Sequence, residues 1–248
     1  MNSMRSTAVL LAAGRGSRMG GDVPKQYMKI AGVPLAALTL RSLGDSDVID
    51  DIVMVIPAGD EDYVRREVFP YAAQAARKVR AFAPGGAERY HSVYSGLEAI
   101  TWPCDIVYIH DGARPFIDDA SLRRLQEAAA ACGACVAGMP AKDTIKLADG
   151  EGYVDETPDR TRVWTVQTPQ VFERGLITEC YREMLAALPE LSARGVHITD
   201  DAMVAELMKG IRVKLVPASY RNIKITTPDD IAAAEAFLAQ DAAFRKGA

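Results

Sequence analysis

The chain has 248 residues, 49% of them apolar and 25% charged, with a formal net charge of −4. These proportions suit one sizeable hydrophobic core within a single unit, residues 1–248. The acidic balance excludes a general nucleic-acid binder, which would carry a basic excess or stripe, but a local cluster of Arg and Lys can still hold an anionic small molecule. No run of about 18 apolar residues occurs, so neither a membrane span nor a membrane partner is expected. Thr7–Ala13 is at the short limit for a signal-peptide core and leads directly into Gly14-Arg15-Gly16. A first buried strand and a cytoplasmic location are the expectation. The cysteines are too few and scattered for a disulfide framework. Cys132 and Cys135 form a C-x-x-C pair with no second pair to complete a zinc site, and read as small apolar residues where a helix passes into a strand.

Along the chain, short β-branched runs alternate with longer amphipathic segments. Strands are predicted at Thr7–Ala12, Asp51–Ile56, Lys78–Ala83, Asp105–His110, Ala134–Met139, Val163–Gln167 and Ile211–Pro217. Helices are predicted at Pro34–Leu43, Asp60–Phe69, Ala87–Ile100, Ser121–Cys132, Gly175–Leu188, Asp200–Met208 and Pro228–Gln240. The alternation favours an α/β fold, a mostly parallel Rossmann-like sheet flanked by helices. Thr227, Pro228, Asp229 and Asp230 mark the start of the last helix, and the chain stops soon after it, so no fused further domain is expected. Asp143–Thr161 breaks the rhythm: it is polar, carries Gly150 and Gly152, and contains two strand-like pieces, Thr144–Leu147 and Tyr153–Glu156. It reads as a β-hairpin arm, suited to packing on a partner subunit or covering a site.

The first strand runs into a glycine-rich loop spanning Ala12, Ala13, Gly14, Gly16, Arg18 and Gly20, followed by Pro24-Lys25-Gln26. Backbone N–H groups at the end of such a strand point outward, and glycine allows close approach of a phosphate. The dinucleotide fingerprint fails because Met19 occupies its third glycine position, and no Gly-Lys-Ser/Thr follows to make a P-loop. Two cations, Arg18 and Lys25, suit a polyphosphate; a solvated surface turn is the other reading.

Leu10-Leu11-Ala12-Ala13-Gly14-Arg15-Gly16-Ser17-Arg18-Met19 followed by Pro24-Lys25-Gln26-Tyr27 resembles the signature of the sugar-phosphate nucleotidyltransferases. The Pro-Lys-Gln-Tyr form is similar to the branch of 2-C-methyl-D-erythritol 4-phosphate cytidylyltransferases of the non-mevalonate isoprenoid pathway. The likeness continues through Pro84-Gly85-Gly86-Ala87-Glu88-Arg89, His110-Asp111-Gly112-Ala113-Arg114-Pro115, Asp143-Thr144-Ile145-Lys146, Thr168-Pro169-Gln170, Ile198-Thr199-Asp200-Asp201-Ala202 and Asn222-Ile223-Lys224-Ile225-Thr226.

The resemblance implies a transfer of the cytidylyl group from CTP to methylerythritol phosphate, with ribitol 5-phosphate the alternative acceptor. It implies that Arg18 and Lys25 stabilise the α-phosphate and the departing pyrophosphate. It implies that Arg160 and Lys224 hold the acceptor phosphate, with Thr144, Thr199 and a partly structural Arg114 as further contacts. Ala12, Ala13, Gly14, Gly16, Gly85, Gly86, Ser92, Asp111 and Gly112 would surround the nucleotide. Relatives often carry an acidic residue where this chain has Ala87, which leaves cytosine selectivity to backbone groups. A divalent cation, Mg²⁺, would be held mainly by phosphates and water, with Asp111 its one candidate protein ligand. The resemblance also implies a homodimer that exchanges the 143–161 arm, placing Arg160 near the interface. His110 reads as a strand-end packing residue, His91 as a helix-surface one, and Asp200 and Asp201 also fit the plain role of helix N-terminal charges.

Overall fold

The computed structural model describes residues 4–14 and 24–247, with side chains described through residue 241. In chain order its strands are β1 (Ser6–Leu11), β2 (Lys29–Ile30), β3 (Val33–Pro34), β4 (Asp51–Ile56), β5 (Val79–Pro84), β6 (Ile106–Asp111), β7 (Ala134–Pro140), β8 (Leu147–Ala148), β9 (Val154–Glu156), β10 (Trp164–Glu173) and β11 (Lys214–Pro217). Its helices are α1 (Leu35–Gly44), α2 (Glu61–Glu67), α3 (Ala73–Ala76), α4 (Arg89–Glu98), α5 (Asp119–Cys132), α6 (Arg174–Ala193), α7 (Asp201–Lys209) and α8 (Pro228–Gly247).

Seven strands form the main sheet in the order β11-β7-β10-β6-β1-β4-β5. All neighbours are parallel except β10, which runs antiparallel to both β6 and β7. The strands alternate their faces as the pleat requires. Ala8 and Leu10, Ile52, Met54 and Ile56, and Ile106 and Tyr108 bury themselves against α1 and α5. Val9, Val53, Val55, Val107 and Ile109 face α4, α6 and α7. Both faces are therefore covered, which is why these strands read as continuous apolar runs in the sequence. A smaller apolar cluster, Ile30, Leu35, Leu38, Ile225 and Ala234, seats α8 over β2 and α1.

Several boundaries differ from expectation. β10 does not stop at Gln167 but continues past a bulge between Val166 and Gln170 to Glu173. β11 begins only at Lys214, because Ile211 and Val213 turn to the cluster beneath α6 and α7 instead of joining the strand. α6 runs on through Pro189 to Ala193. The start of α8 is held by Asp230 rather than by Thr227: its Oδ2 accepts from the backbone N–H and the hydroxyl of both Thr226 and Thr227 at 2.7–3.0 Å. This is the reciprocal carboxylate of a capping box. Cys132 ends α5 and Cys135 lies buried in β7, and their thiols turn to backbone carbonyls.

The expected arm is present as β8 paired antiparallel with β9. Its strands are shorter than predicted, and every residue in them is exposed. Asp149 organises the turn by accepting from the N–H groups of Glu151 and Tyr153 at 2.9 Å.

Candidate active site

Three strand ends converge on one side of the sheet. Leu11 pairs in register with Asp111. Beyond them, the N–H of Gly112 donates to Leu11 O at 2.8 Å, Ala12 N–H to Val55 O at 2.7 Å, and Gly85 N–H to Ile56 O at 2.8 Å. These bonds lash the turns after β1, β5 and β6 together. The packing leaves no room for side chains: a Cβ on Gly112 would come within 2.6 Å of Leu11 O, and one on Gly85 would overlap that of Ala13. The order of strands reverses here, with β4 and β5 on one side of β1 and β6 on the other. Open α/β sheets place ligands at such carboxyl-end switch points.

A cavity of about 430 Å³ opens there. Its floor is Leu11, Ala12, Ala13 and Gly14; its walls include Gly86, Ser92, Asp111 and Gly112; Lys25 and Lys224 face it from opposite segments. The nucleotide-side residues expected from sequence thus come together, apart from Gly85, which sits just behind Ala13, and Gly16 and Arg18, which lie outside the described residues. Ser92 braces the turn: its hydroxyl accepts from Gly86 N–H at 2.9 Å and donates to Glu88 O at 3.3 Å.

The electrostatics centre on Asp111. Its Oδ2 meets Lys224 Nζ at 2.7 Å, and its Oδ1 meets Arg89 Nε at 3.2 Å. Burial alone would raise its pKa, but Arg89 and Lys224 outweigh burial and hold the carboxyl well below the usual range. Arg89 is in turn gripped by Asp201 through two bonds of 2.7 and 2.9 Å, and Tyr181 donates its phenol to Asp201 at 2.5 Å. Burial opposes the charge on Arg89, yet Asp201 and Asp111 keep its pKa well above its ordinary value. Leaving buried Asp111 or Asp201 without its cationic partners would cost several kcal/mol, roughly 3–5.

Arg89 lines the cavity, and so do Gln26, Leu35, Glu88, Ala113 and Thr226, none of which was singled out from sequence. The signal for Arg89 was its place at the first turn of a helix after Gly-Gly-Ala-Glu, a position that otherwise suggests a solvated charge. Asp201 opens α7 as an N-terminal charge, as expected, but it also does more. It is fully buried under Arg89, whereas the cap of α7 is Asp200, which accepts from Met203 N–H at 2.9 Å. His91 is corrected: it is half-buried, with Nδ1 enclosed, and a Cβ on Gly86 would overlap it.

Other expected residues lie outside this cavity. Arg114 stands behind it and donates to Asn222 O at 2.8 Å. Thr144 and Arg160 are exposed on or beside the arm, and Arg160 donates to Lys142 O at 3.0 Å. Thr199 is exposed ahead of α7. Among the described residues, no group of three His, Cys, Asp or Glu side chains could hold a metal ion.

The arrangement is a cradle of backbone and lysine facing an ion-paired carboxylate, and the comparisons with known proteins point the same way. The family model described as IspD, 2-C-methyl-D-erythritol 4-phosphate cytidylyltransferase, matches residues 6–240. A protein of that name from Alkaliphilus oremlandii is 39% identical over 237 residues, covering 96% of each chain. Another from Pelotomaculum thermopropionicum is 43% identical over 231 residues, 93% of each. The crystal structure of the 4-diphosphocytidyl-2C-methyl-D-erythritol synthase of Anaerococcus prevotii superposes with a TM-score of 0.78 at 31% identity, covering 95% of this chain and 99% of that one. With nearly its whole length matched in sequence and in fold, the chain belongs to the 2-C-methyl-D-erythritol 4-phosphate cytidylyltransferase family.

Proposed function

We propose that the chain transfers the cytidylyl group of CTP to 2-C-methyl-D-erythritol 4-phosphate, forming 4-diphosphocytidyl-2-C-methyl-D-erythritol and releasing pyrophosphate in isoprenoid precursor synthesis. The observation that carries this reading is the cavity itself, where the backbone cradle of Ala12–Gly14 and Lys25 faces Lys224 on Asp111. A phosphate monoester is largely ionised at neutral pH, its second pKa being about 6. Its oxygen attacks the α-phosphorus of CTP, and the bond to the pyrophosphate oxygen breaks. No general base is required, so the work is alignment of two anions and neutralisation of the charge that develops between them. Lys25, with Arg18 of the same loop, takes the triphosphate. Lys224, held by Asp111, takes the acceptor phosphate together with Arg160, Thr144 and Thr199. Ala13, Gly86 and Ser92 border the space for the base and ribose.

The donor set does not fit a magnesium ion held by the protein, because both oxygens of Asp111 are engaged by cationic side chains. A divalent cation would enter on the phosphates of CTP. We assign the working form as a homodimer in which the arm of one subunit reaches the other's cavity. Supporting this are the exposed apolar side chains of the arm, Leu147 at 48%, Tyr153 at 70% and Val154 at 60%. The free thiols of all four cysteines agree with a reducing, cytoplasmic setting.

The test is pyrophosphate release from CTP with a panel of polyol phosphates. Release with methylerythritol phosphate and little with ribitol 5-phosphate is expected. Release with neither would overturn the reading, and UTP serving as well as CTP would overturn the base assignment.

A further inference from the structure

His110 and Thr168 stand outside the cavity, yet they close a buried ring of hydrogen bonds behind its Asp111 wall. Thr168 accepts from Asp111 N–H through its hydroxyl oxygen at 3.0 Å, and the same hydroxyl meets His110 Nδ1 at 3.0 Å. His110 Nε2 lies 2.9 Å from Arg114 O, and Arg114 Nη1 donates to Asn222 O at 2.8 Å. Asn222 Nδ2 returns to Thr168 O at 2.8 Å, closing the circuit. His110 and Asn222 are fully buried and Thr168 nearly so.

The chemistry of the groups allows one arrangement of protons. A carbonyl only accepts, so Nε2 of His110 carries the hydrogen toward Arg114 O. Nδ1 of the neutral ring is then an acceptor, and it receives the hydroxyl proton of Thr168. The hydroxyl's lone pair is thereby turned to Asp111 N–H. Burial favours the neutral ring this pattern needs, lowering the His110 pKa to about 4. The His110 tautomer thus sets the Thr168 hydroxyl, which sets the bond to Asp111 N–H, and the obligate donors Arg114 Nη1 and Asn222 Nδ2 close the ring into a clamp.

What the clamp joins are the two ends of the ion pair in the cavity. Asp111 is gripped at its backbone N–H. Lys224 is flanked by Asn222 on one side and by Ile225 on the other, whose N–H donates to Ala113 O at 2.8 Å. The nucleotide cradle on β1 and β5 shares none of these bonds. We infer that His110 and Thr168 are positioning residues, which set Asp111 and the Lys224 segment at the spacing the acceptor phosphate requires.

This rests on the proposed transfer reaction and concerns only its acceptor side. The variants are Thr168→Val, which removes the hydroxyl at nearly constant shape, and Thr168→Ser, which restores it. Steady-state kinetics should show T168V raising the KM for methylerythritol phosphate at least tenfold while the KM for CTP stays within about twofold, with T168S recovering most of the loss. His110→Gln can keep a donor toward Arg114 O but has no acceptor at the position of Nδ1, where the Thr168 hydroxyl is received. It carries the same expectation if T168V does not yield folded protein. Equal changes in both KM values, or a T168V enzyme indistinguishable from wild type, would overturn the positioning role. Wild-type protein with no transfer activity would instead overturn the reaction on which it rests.

Discussion

The two sides of the proposed site differ in how many of their expected residues the fold gathers at the cavity. On the nucleotide side, Ala12–Gly14, Gly86 and Gly112 are ends of strands whose positions follow from sheet register and from the bonds that lash neighbouring turns together. On the acceptor side, Lys224 and Asp111 meet in the cavity, whereas Arg160 and Thr144 stand apart with the exposed arm. A two-stranded hairpin without a core is marginal by itself, and this one keeps its apolar side chains in the open. One half of the site is a consequence of folding; for the other, our proposal is that a second copy of the chain brings Arg160 and Thr144 to it.

The largest expected effect falls on the folded half. Lys25→Ala and Arg18→Ala should each lower kcat by about 10²–10³, the usual consequence of losing one preorganised donor to a developing phosphate charge. Pyrophosphate release at saturating substrates measures it. A loss confined to KM would mean that these cations bind CTP without favouring its transition state.

The division between halves can be broken directly by mixing subunits. K25A and Arg160→Ala protein, each nearly inactive alone, should regain about a quarter of wild-type activity after joint refolding. Half of randomly paired dimers are mixed, and each mixed dimer holds one cavity with an intact Lys25 and the partner's intact arm. No recovery would place Arg160 at its own subunit's cavity and remove the reason for arm exchange.

A third test concerns the clamp behind the acceptor half. His110 is held neutral by burial, with its pKa lowered to about 4 from an unfolded value near 6.5. Between those values the unfolded chain takes up a proton that the folded chain refuses. Stability from this group is therefore complete above about pH 6.5 and declines as pH falls toward 4. The loss between pH 7 and 4.5 should be about 2–3 kcal/mol by denaturant titration, and His110→Gln should lack most of that slope. Charged groups beside the ring do not mimic it. Arg114 keeps its charge throughout, and Asp111, whose carboxyl is held low, loses its contribution only as pH falls below about 4.

Much of this division was legible in the sequence. Fully buried strands such as Asp51–Ile56 announced themselves as apolar runs because helices cover both faces of the sheet. The glycine turns were legible for a related reason: only residues without a Cβ permit the approach between Gly112 and Leu11 O. What stayed hidden depends on contacts distant in the chain. Arg89 and Asp201 lie 112 positions apart, and each alone resembles an ordinary charge at a helix start. The direction of β10 was hidden too, since an antiparallel insertion between β6 and β7 leaves no mark in local periodicity. The arm was visible as a polar interruption, but its exposure was not, because nothing in Tyr153 or Val154 says which surface they meet.

The smallest effect concerns base choice in the folded half. Ala87 lines the cavity next to Gly86, whose turn Ser92 braces. It brings no hydrogen-bonding side chain, so under the proposed function discrimination between cytosine and uracil falls to backbone groups of the cradle. Ala87→Asp would place an acceptor within reach of an exocyclic amine. A single hydrogen bond contributes about 0.5–1.5 kcal/mol net in water, so the ratio of kcat/KM for CTP over UTP should rise by no more than about tenfold. The KM for the acceptor phosphate should not move, because our proposal places that anion at Lys224. A shift in acceptor KM as large as the shift in base preference would show that the two halves are coupled through the Gly86 turn. The border between them would then run through Arg89, which begins the helix after that turn and reaches across to Asp111.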